Sequence, residues 1–324
     1  MVKLRKPKIG YGPDSISMVS AMIKFFTLPP EDVDYPFILI NANEPNLDYI
    51  EEHYRSIKEV IIDTGVEVFQ KGLTEYPEGW KRRLEKIVEL YYFVKSFPIG
   101  KVYAVPPDYP QDYPILPDYP NIEKTIRNVT YAIDHYPEVN WIIPVQGKRE
   151  KPFSILINLT KYEELGIIKK FNYFAIANLC VSYSVRVIYD TLLIARDYLG
   201  GRKKIHSFGL KMQGIAKTKN IIDSTDSTAW TRPCGLVDEI LSKVGFPRKS
   251  YLSRHKKLYF FAWLYTLINY YDTPLQDVDP NWVMDNLQQE ILRLKEESII
   301  DNIIFFRERK INRIIEGLVG VDHG

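Results

Sequence analysis

The sequence predicts an α/β fold, a (β/α)8 TIM barrel followed by a C-terminal helical extension, and three observations predict it. Short apolar runs recur along the chain, helical spacing fills most of the intervals between them, and each run ends in polar or glycine-bearing residues. Continuous apolar runs alternating with amphipathic helices imply parallel strands covered on both faces. Where the polar residues fall separates a barrel from an open sheet. A barrel gathers all its strand carboxyl ends on one face, where barrel enzymes keep their sites, whereas an open sheet spreads them along an edge.

The runs, in order, are KIGYG (8–12), FILINANEP (37–45), VIIDTG (60–65), KVYAVPPD (101–108), WIIPVQG (141–147), YFAIANLC (173–180), KIHSFG (204–209) and NIIDSTD (220–226). Their ends deliver Asn41, Asp63, Asp108, Gln146, Asn178, Gly209 and Asp226. Between the third and fourth runs, Leu84, Ile87, Val88, Tyr91 and Val94 recur at helical intervals and mark one apolar face. Segments 121–135 and 184–199 repeat that pattern. The segment PPDYPQDYPILPDYP (106–120) reads as an extended loop, because proline fixes φ and disfavours helix before it. It is long enough to fold over a barrel mouth, and a stiff surface loop is the equal alternative. Beyond residue 233 the pattern becomes helical, at 235–244, 255–272 and 281–318. The expected division is therefore a catalytic barrel over 1–233 and a helical extension over 234–324.

Composition narrows the class. Charged residues make up 26% and hydrophobic ones 45% of the 324 residues, the balance of a soluble globular chain. The net charge of +2 does not by itself argue for nucleic acid, but stretch 241–260 holds six Lys/Arg and no acid. Arg202, Lys203 and Lys204 form a second basic knot. Such clusters either track phosphates or form ordinary solvated surface. Cys180 and Cys234 are too few for a disulfide framework or a four-cysteine zinc site, and the five histidines show no ligand spacing. A mixed site using Cys234 and His255 stays open. The run LYFFAWLYTLINYY (258–271) is too short to span a bilayer and reads as a core helix. With no apolar leader at the start, the expected compartment is the cytoplasm.

Asp63 and Asp226 stand out chemically. Two carboxylates flanking a sugar C1′ are what cleavage of a glycosidic bond requires, one attacking the oxocarbenium-like centre and the other handling the leaving group's proton. Each has a plainer reading, Asp63 as a helix cap or turn former and Asp226 as the start of an Asx turn. Asp223 lies three residues before Asp226, so strand alternation turns it the other way.

In order along the chain, these motifs resemble the tRNA-guanine transglycosylase superfamily, including its DNA-modifying branch, the DpdA-like 7-deazaguanine DNA transglycosylases. IIDTGVEVFQ (61–70) is similar to the family's general acid/base segment, at Asp63, and IDSTDSTAWTR (222–232) to its nucleophile segment, at Asp226. YAVPPD, PVQG, AIANLCVS and HSFG resemble the base-reading segments. The resemblance implies that Asp108, Gln146, Asn178 and Leu179 read the base edge and that Phe208 stacks on its face. It covers roughly residues 8–233 and implies exchange of guanine for a 7-deazaguanine base, such as a preQ0-like one, through an Asp-linked intermediate.

The departures bear on substrate. The family's zinc site of three cysteines and a histidine has no counterpart after residue 234, so no cofactor is expected, and no RNA-binding domain of the PUA type is recognisable. Asn178 stands where the pattern has glycine. These departures favour DNA over tRNA as the partner, with a small 7-deazaguanine base as co-substrate and no membrane. A homodimer or accessory proteins are compatible with the chain. Arg202, Lys203, Lys204, Arg248, Lys249, Arg254, Lys256 and Lys257 are the candidates for holding the nucleic-acid backbone. The alternatives are a tRNA enzyme, a catalytically silent nucleic-acid-binding barrel, and an unrelated nucleoside or glycoside hydrolase.

Overall fold

The structure is a computed structural model and describes residues 22–111, 120–182, 184–232, 235–243 and 255–297. It is a mixed α/β fold in which the paired strands all run parallel. One sheet has five strands in the order β1 (Lys24–Phe26), β8 (Ser224–Asp226), β7 (Lys204–Ser207), β6 (Tyr173–Ile176) and β5 (Ile143–Val145). A second has three, β2 (Phe37–Asn41), β3 (Glu59–Asp63) and β4 (Lys101–Ala104). Single parallel bridges, Thr27 to Ile38 and Ala104 to Trp141, link β1 toward β2 and β4 toward β5.

Strand burial follows the apolar runs. All four residues of β6 are buried, as are the first four of β3, because helices cover the strands. Helix Trp80–Lys95 buries Leu84, Ile87, Val88, Tyr91 and Val94, the stripe that the spacing predicts. Helix Val185–Leu199 begins where the Ser184 side chain accepts from Val187 N, and it stops at Gly200, whose φ of 77° few other residues adopt. Helix Pro120–His135 pins the segment after β4. Asn128 Nδ2 donates to Pro107 O, Tyr109 N donates to Thr125 Oγ1, and Asn121 Nδ2 donates to Pro110 O, at 2.7–2.9 Å. The start of the Pro-rich loop is thus packed structure, with Tyr109 buried against Phe69 and Tyr76. Residues 112–119 of that loop lie outside the described residues.

The run at 8–12 lies outside the described residues, and the first strand among the described residues is Lys24–Phe26, which no run anticipated. The chain divides into two compact units. The first holds the residues up to Ala229 together with Tyr271–Asp277, and the second holds Trp230–Tyr270 and the residues from Val278 on. Segment 271–277, assigned to the extension by the sequence pattern, belongs to the first unit because Ile23 N donates to Pro274 O and Gln276 N to Ile23 O. In the second unit, helix Leu236–Lys243 precedes helix Lys256–Tyr265, which runs on into a π-helical turn, Thr266–Tyr270. A further helix covers 280–297. Phe260, Phe261 and Trp282 make edge-to-face ring contacts within this unit. No helix among the described residues is long and apolar enough to cross a membrane.

Candidate active site

Parallel strands of one sheet deliver their carboxyl ends to one side, and residues at or just after the ends of β3, β4, β5, β6, β7 and β8 line a cavity. Its volume is about 130 Å³, close to that of a cavity that admits one aromatic ring. Of the seven residues expected to act on or read the base, six line it: Asp63, Asp108, Gln146, Asn178, Phe208 and Asp226. Leu179 is buried and does not line it. Val66, Pro110, Cys180, Val181 and Gly209 complete much of the wall.

Three carboxyl groups meet here. Burial, then the neighbouring charges of Asp108 and Asp226, push Asp63 up to about 8, so its acid form persists at neutral pH. Its carboxyl accepts from Gly65 N at 3.4 Å, and the Thr64 backbone N–H pulls its pKa the other way. Burial also pushes Asp108 up to about 6, although hydrogen bonds from Thr64 and Gln146 pull the other way. Thr64 Oγ1 donates to Asp108 Oδ1 at 2.7 Å, and Gln146 Nε2 donates to Oδ2.

That second bond fixes the Gln146 amide. Its nitrogen faces the carboxylate, which leaves Oε1, a fully buried acceptor, with no partner among the described residues. A buried unpaired acceptor is costly until a donor arrives. The wall as it stands favours a ligand that presents N–H groups.

Asp226 is held differently. His206 Nε2 and Gly209 N both lie 3.0 Å from its Oδ1. Gly209 adopts φ 65°, and a Cβ built on it would sit 2.5 Å from Cys180 Cβ, so glycine is what the turn admits. The Asx-turn reading of Asp226 does not hold, since Ser227 fills that role by accepting from Ala229 N. Asn178 also sits at positive φ, 63°, a conformation asparagine tolerates better than most residues, and its Nδ2 donates to Gly147 O. Phe208 stands edge-on to His206, with ring centroids 5.0 Å apart. Gly209 was a candidate from sequence as the end of its run, whereas His206 was not. The usable signal was strand parity, because His206 and Phe208 are two apart and share a face.

The basic triplet Arg202, Lys203 and Lys204 lies at the other end of β7 from the cavity. Lys204 opens β7 at its amino end, with Arg202 and Lys203 before it, while the cavity lies past the other end at Phe208. Four strand residues separate the two by about 13 Å. Lys203 instead braces the fold, with its Nζ donating to Phe171 O at 2.7 Å. Lys256 and Lys257 start a helix of the second unit, and Lys257 Nζ lies 4.0 Å from Glu290. Arg248, Lys249 and Arg254 lie outside the described residues, as does Cys234. Among the described residues no cluster of three or more His, Cys, Asp or Glu suits a metal ion, and the donor set for the thiolate zinc site of the resembled family is absent from the sequence. No protein-family model matches the chain, and no curated protein is detectably similar to it.

Proposed function

We propose that the protein exchanges guanine in a polynucleotide, DNA in the favoured reading, for a 7-deazaguanine base by double displacement at C1′. The observation that carries this reading is the pairing of unlike carboxyls in one cavity. Asp63 is pushed up to about 8 and holds a proton, while Asp226 Oδ1 lies 3.0 Å from both His206 Nε2 and the Gly209 N–H. In the first step Asp226 bonds to C1′, the bond from C1′ to the guanine nitrogen breaks, and that nitrogen takes the proton of Asp63. In the second the ring nitrogen of the incoming base attacks C1′, the ester bond to Asp226 breaks, and the nitrogen's proton passes to Asp63. Asp108 and the unpaired Gln146 Oε1 accept from the N–H edge of the base, Asn178 shapes the wall and Phe208 covers the ring. The target nucleotide leaves its stack to enter, at a cost of a few kcal/mol.

The finer architecture belongs to the same reading. With Thr27–Ile38 and Ala104–Trp141 as the seams, the strands follow the cyclic order of a (β/α)8 barrel whose active end is the cavity. Stretch 241–260, in the second unit, is the remaining candidate for contact with the phosphate backbone. The test supplies isotopically labelled 7-deazaguanine bases with DNA and, separately, with tRNA, and follows with nucleoside mass spectrometry. Label is expected in DNA. Label in tRNA alone would move the substrate assignment, and label in neither would overturn the exchange reading.

A further inference from the structure

Resting on the exchange reading, we infer that His206 is the positioning residue of the nucleophile, anchoring Asp226 Oδ1 so that Oδ2 is the atom that attacks C1′. His206 is fully buried on β7, paired in register with Ser224 of β8, and bonds on both ring nitrogens. Nε2 lies 3.0 Å from Asp226 Oδ1, Nδ1 lies 2.9 Å from Ser224 Oγ, and Ser224 Oγ lies 2.6 Å from the hydroxyl of buried Tyr173. This is a continuous chain of hydrogen bonds from the sheet interior to the cavity.

Its polarity is decided by a group that cannot turn. Gly209 N–H only donates, and it donates to the same Oδ1 that faces His206. An oxygen that accepts there is best matched by a second donor, so Nε2 carries the ring proton and Asp226 is the anion. Nδ1 then accepts from Ser224, and Ser224 accepts from Tyr173, whose phenol burial keeps protonated. Every member is satisfied. In the reverse polarity a protonated Oδ1 would face the fixed N–H, and the Tyr173 proton would be left without its partner. Oδ2 accepts no hydrogen bond among the described residues, so it keeps its lone pairs for the sugar carbon.

The test has two arms. In the first, single-turnover formation of the protein–oligonucleotide adduct is followed alongside oligonucleotide affinity and thermal stability. His206→Phe is expected to slow adduct formation about 10²-fold, the scale of a misplaced reacting atom, with affinity unchanged. His206→Gln restores a donor toward Asp226 and is expected to recover most of that loss, whereas His206→Asn is not. Adduct formation by His206→Phe at the wild-type rate, or equal rates for the Gln and Asn variants, would overturn the assignment.

The second arm needs no substrate and no folded variant. The ¹⁵N-histidine spectrum of the wild-type protein is expected to show one neutral ring with its proton on Nε2, protected from solvent. A cationic or Nδ1-protonated His206 would overturn the inference. Failure of the wild-type protein to form any adduct, with the Nε2–H tautomer in place, would instead count against the exchange reading.

Discussion

Two aspartates three residues apart sit at opposite ends of one short strand, and they do opposite things. Asp223, just before β8, is locked. Its Oδ2 accepts from Arg196 NH2 at 2.7 Å and from Ile205 N at 2.8 Å, and the Arg196 guanidinium also donates to Ile221 O and Lys203 O. Asp226, about 10 Å further along, keeps one oxygen unengaged beside a cavity that also holds Asp63 and Asp108. Among the described residues none of these three carboxyls has a Lys or Arg partner, whereas Asp223 and Glu59 at the amino ends of their strands both do. Charge at the amino ends is neutralised and holds the fold together. Charge at the carboxyl ends is concentrated without cations, an arrangement that costs stability and makes pKa values diverge.

The sharpest test of that contrast exchanges the two aspartates' fates. Asp226→Asn is expected to lower exchange by about 10⁴-fold or more, the scale of losing a nucleophile, while leaving the melting transition near that of the wild type. Asp223→Asn is expected to do the reverse, costing about 3 kcal/mol of stability by leaving a buried guanidinium without its anion, with exchange per folded molecule unchanged. Denaturant titration beside the exchange assay reads both. If the Asp223 variant is inactive though folded and the Asp226 variant active, the ends have been assigned the wrong way round.

Next in size is Asp63. Asp63→Asn is expected to slow exchange by about 10²–10⁴-fold, the usual worth of a general acid. It is also expected to stabilise the protein at pH 9 by about 0.5–2 kcal/mol, since a neutral amide replaces a carboxyl forced to ionise among like charges.

The pH profile carries the same sign. An isolated carboxyl loses its proton near 3.8 and Asp63 near 8, so over that window the folded state binds the proton that the unfolded state has lost. Stability contributed by this group is therefore lost as pH rises from about 4 to 8, and the first step of exchange fails above about 8. The Asn variant should lack both limbs. The smallest effect is expected at the basic triplet. Arg202→Ala with Lys204→Ala should change oligonucleotide affinity less than about twofold, and should not lower the salt slope by the near-unit step that each lost phosphate contact produces.

Much of this contrast was legible in the sequence, because a strand buried on both faces writes itself as an apolar run and its functional end as the first polar residues after it. That reading named Asp63, Asp108, Gln146, Asn178, Gly209 and Asp226, which line one cavity, and Asn41, which does not; Phe208 came from the family resemblance. It missed β1, whose three residues Lys24–Phe26 are too few to show any period. It missed His206 because a polar residue inside a run looks like an interruption. The meaning of His206 comes from the register of β7 against β8, which sets it opposite Ser224. That the triplet 202–204 adjoins the amino end of β7 went unread, because a charge run says nothing of which end of a strand it adjoins. The run KIHSFG itself held the answer, with lysine before the strand and the cavity residues after it.

The pairing of β1 bears on how the chain is made. Among the described residues the first strand in chain order lies beside the last, with Lys24 opposite Ser224 and Phe26 opposite Asp226, and Ile23 N donates to Pro274 O while its carbonyl accepts from Gln276 N. A ribosome releases Phe26 some two hundred residues before its neighbour exists. The nascent chain therefore carries an apolar strand with an unfilled edge through most of synthesis, and the strand of Asp226 cannot pair on that side until translation has passed it. At about 5–20 residues per second that wait is on the order of tens of seconds, long enough for a holding chaperone to engage the segment before the aspartate reaches its place.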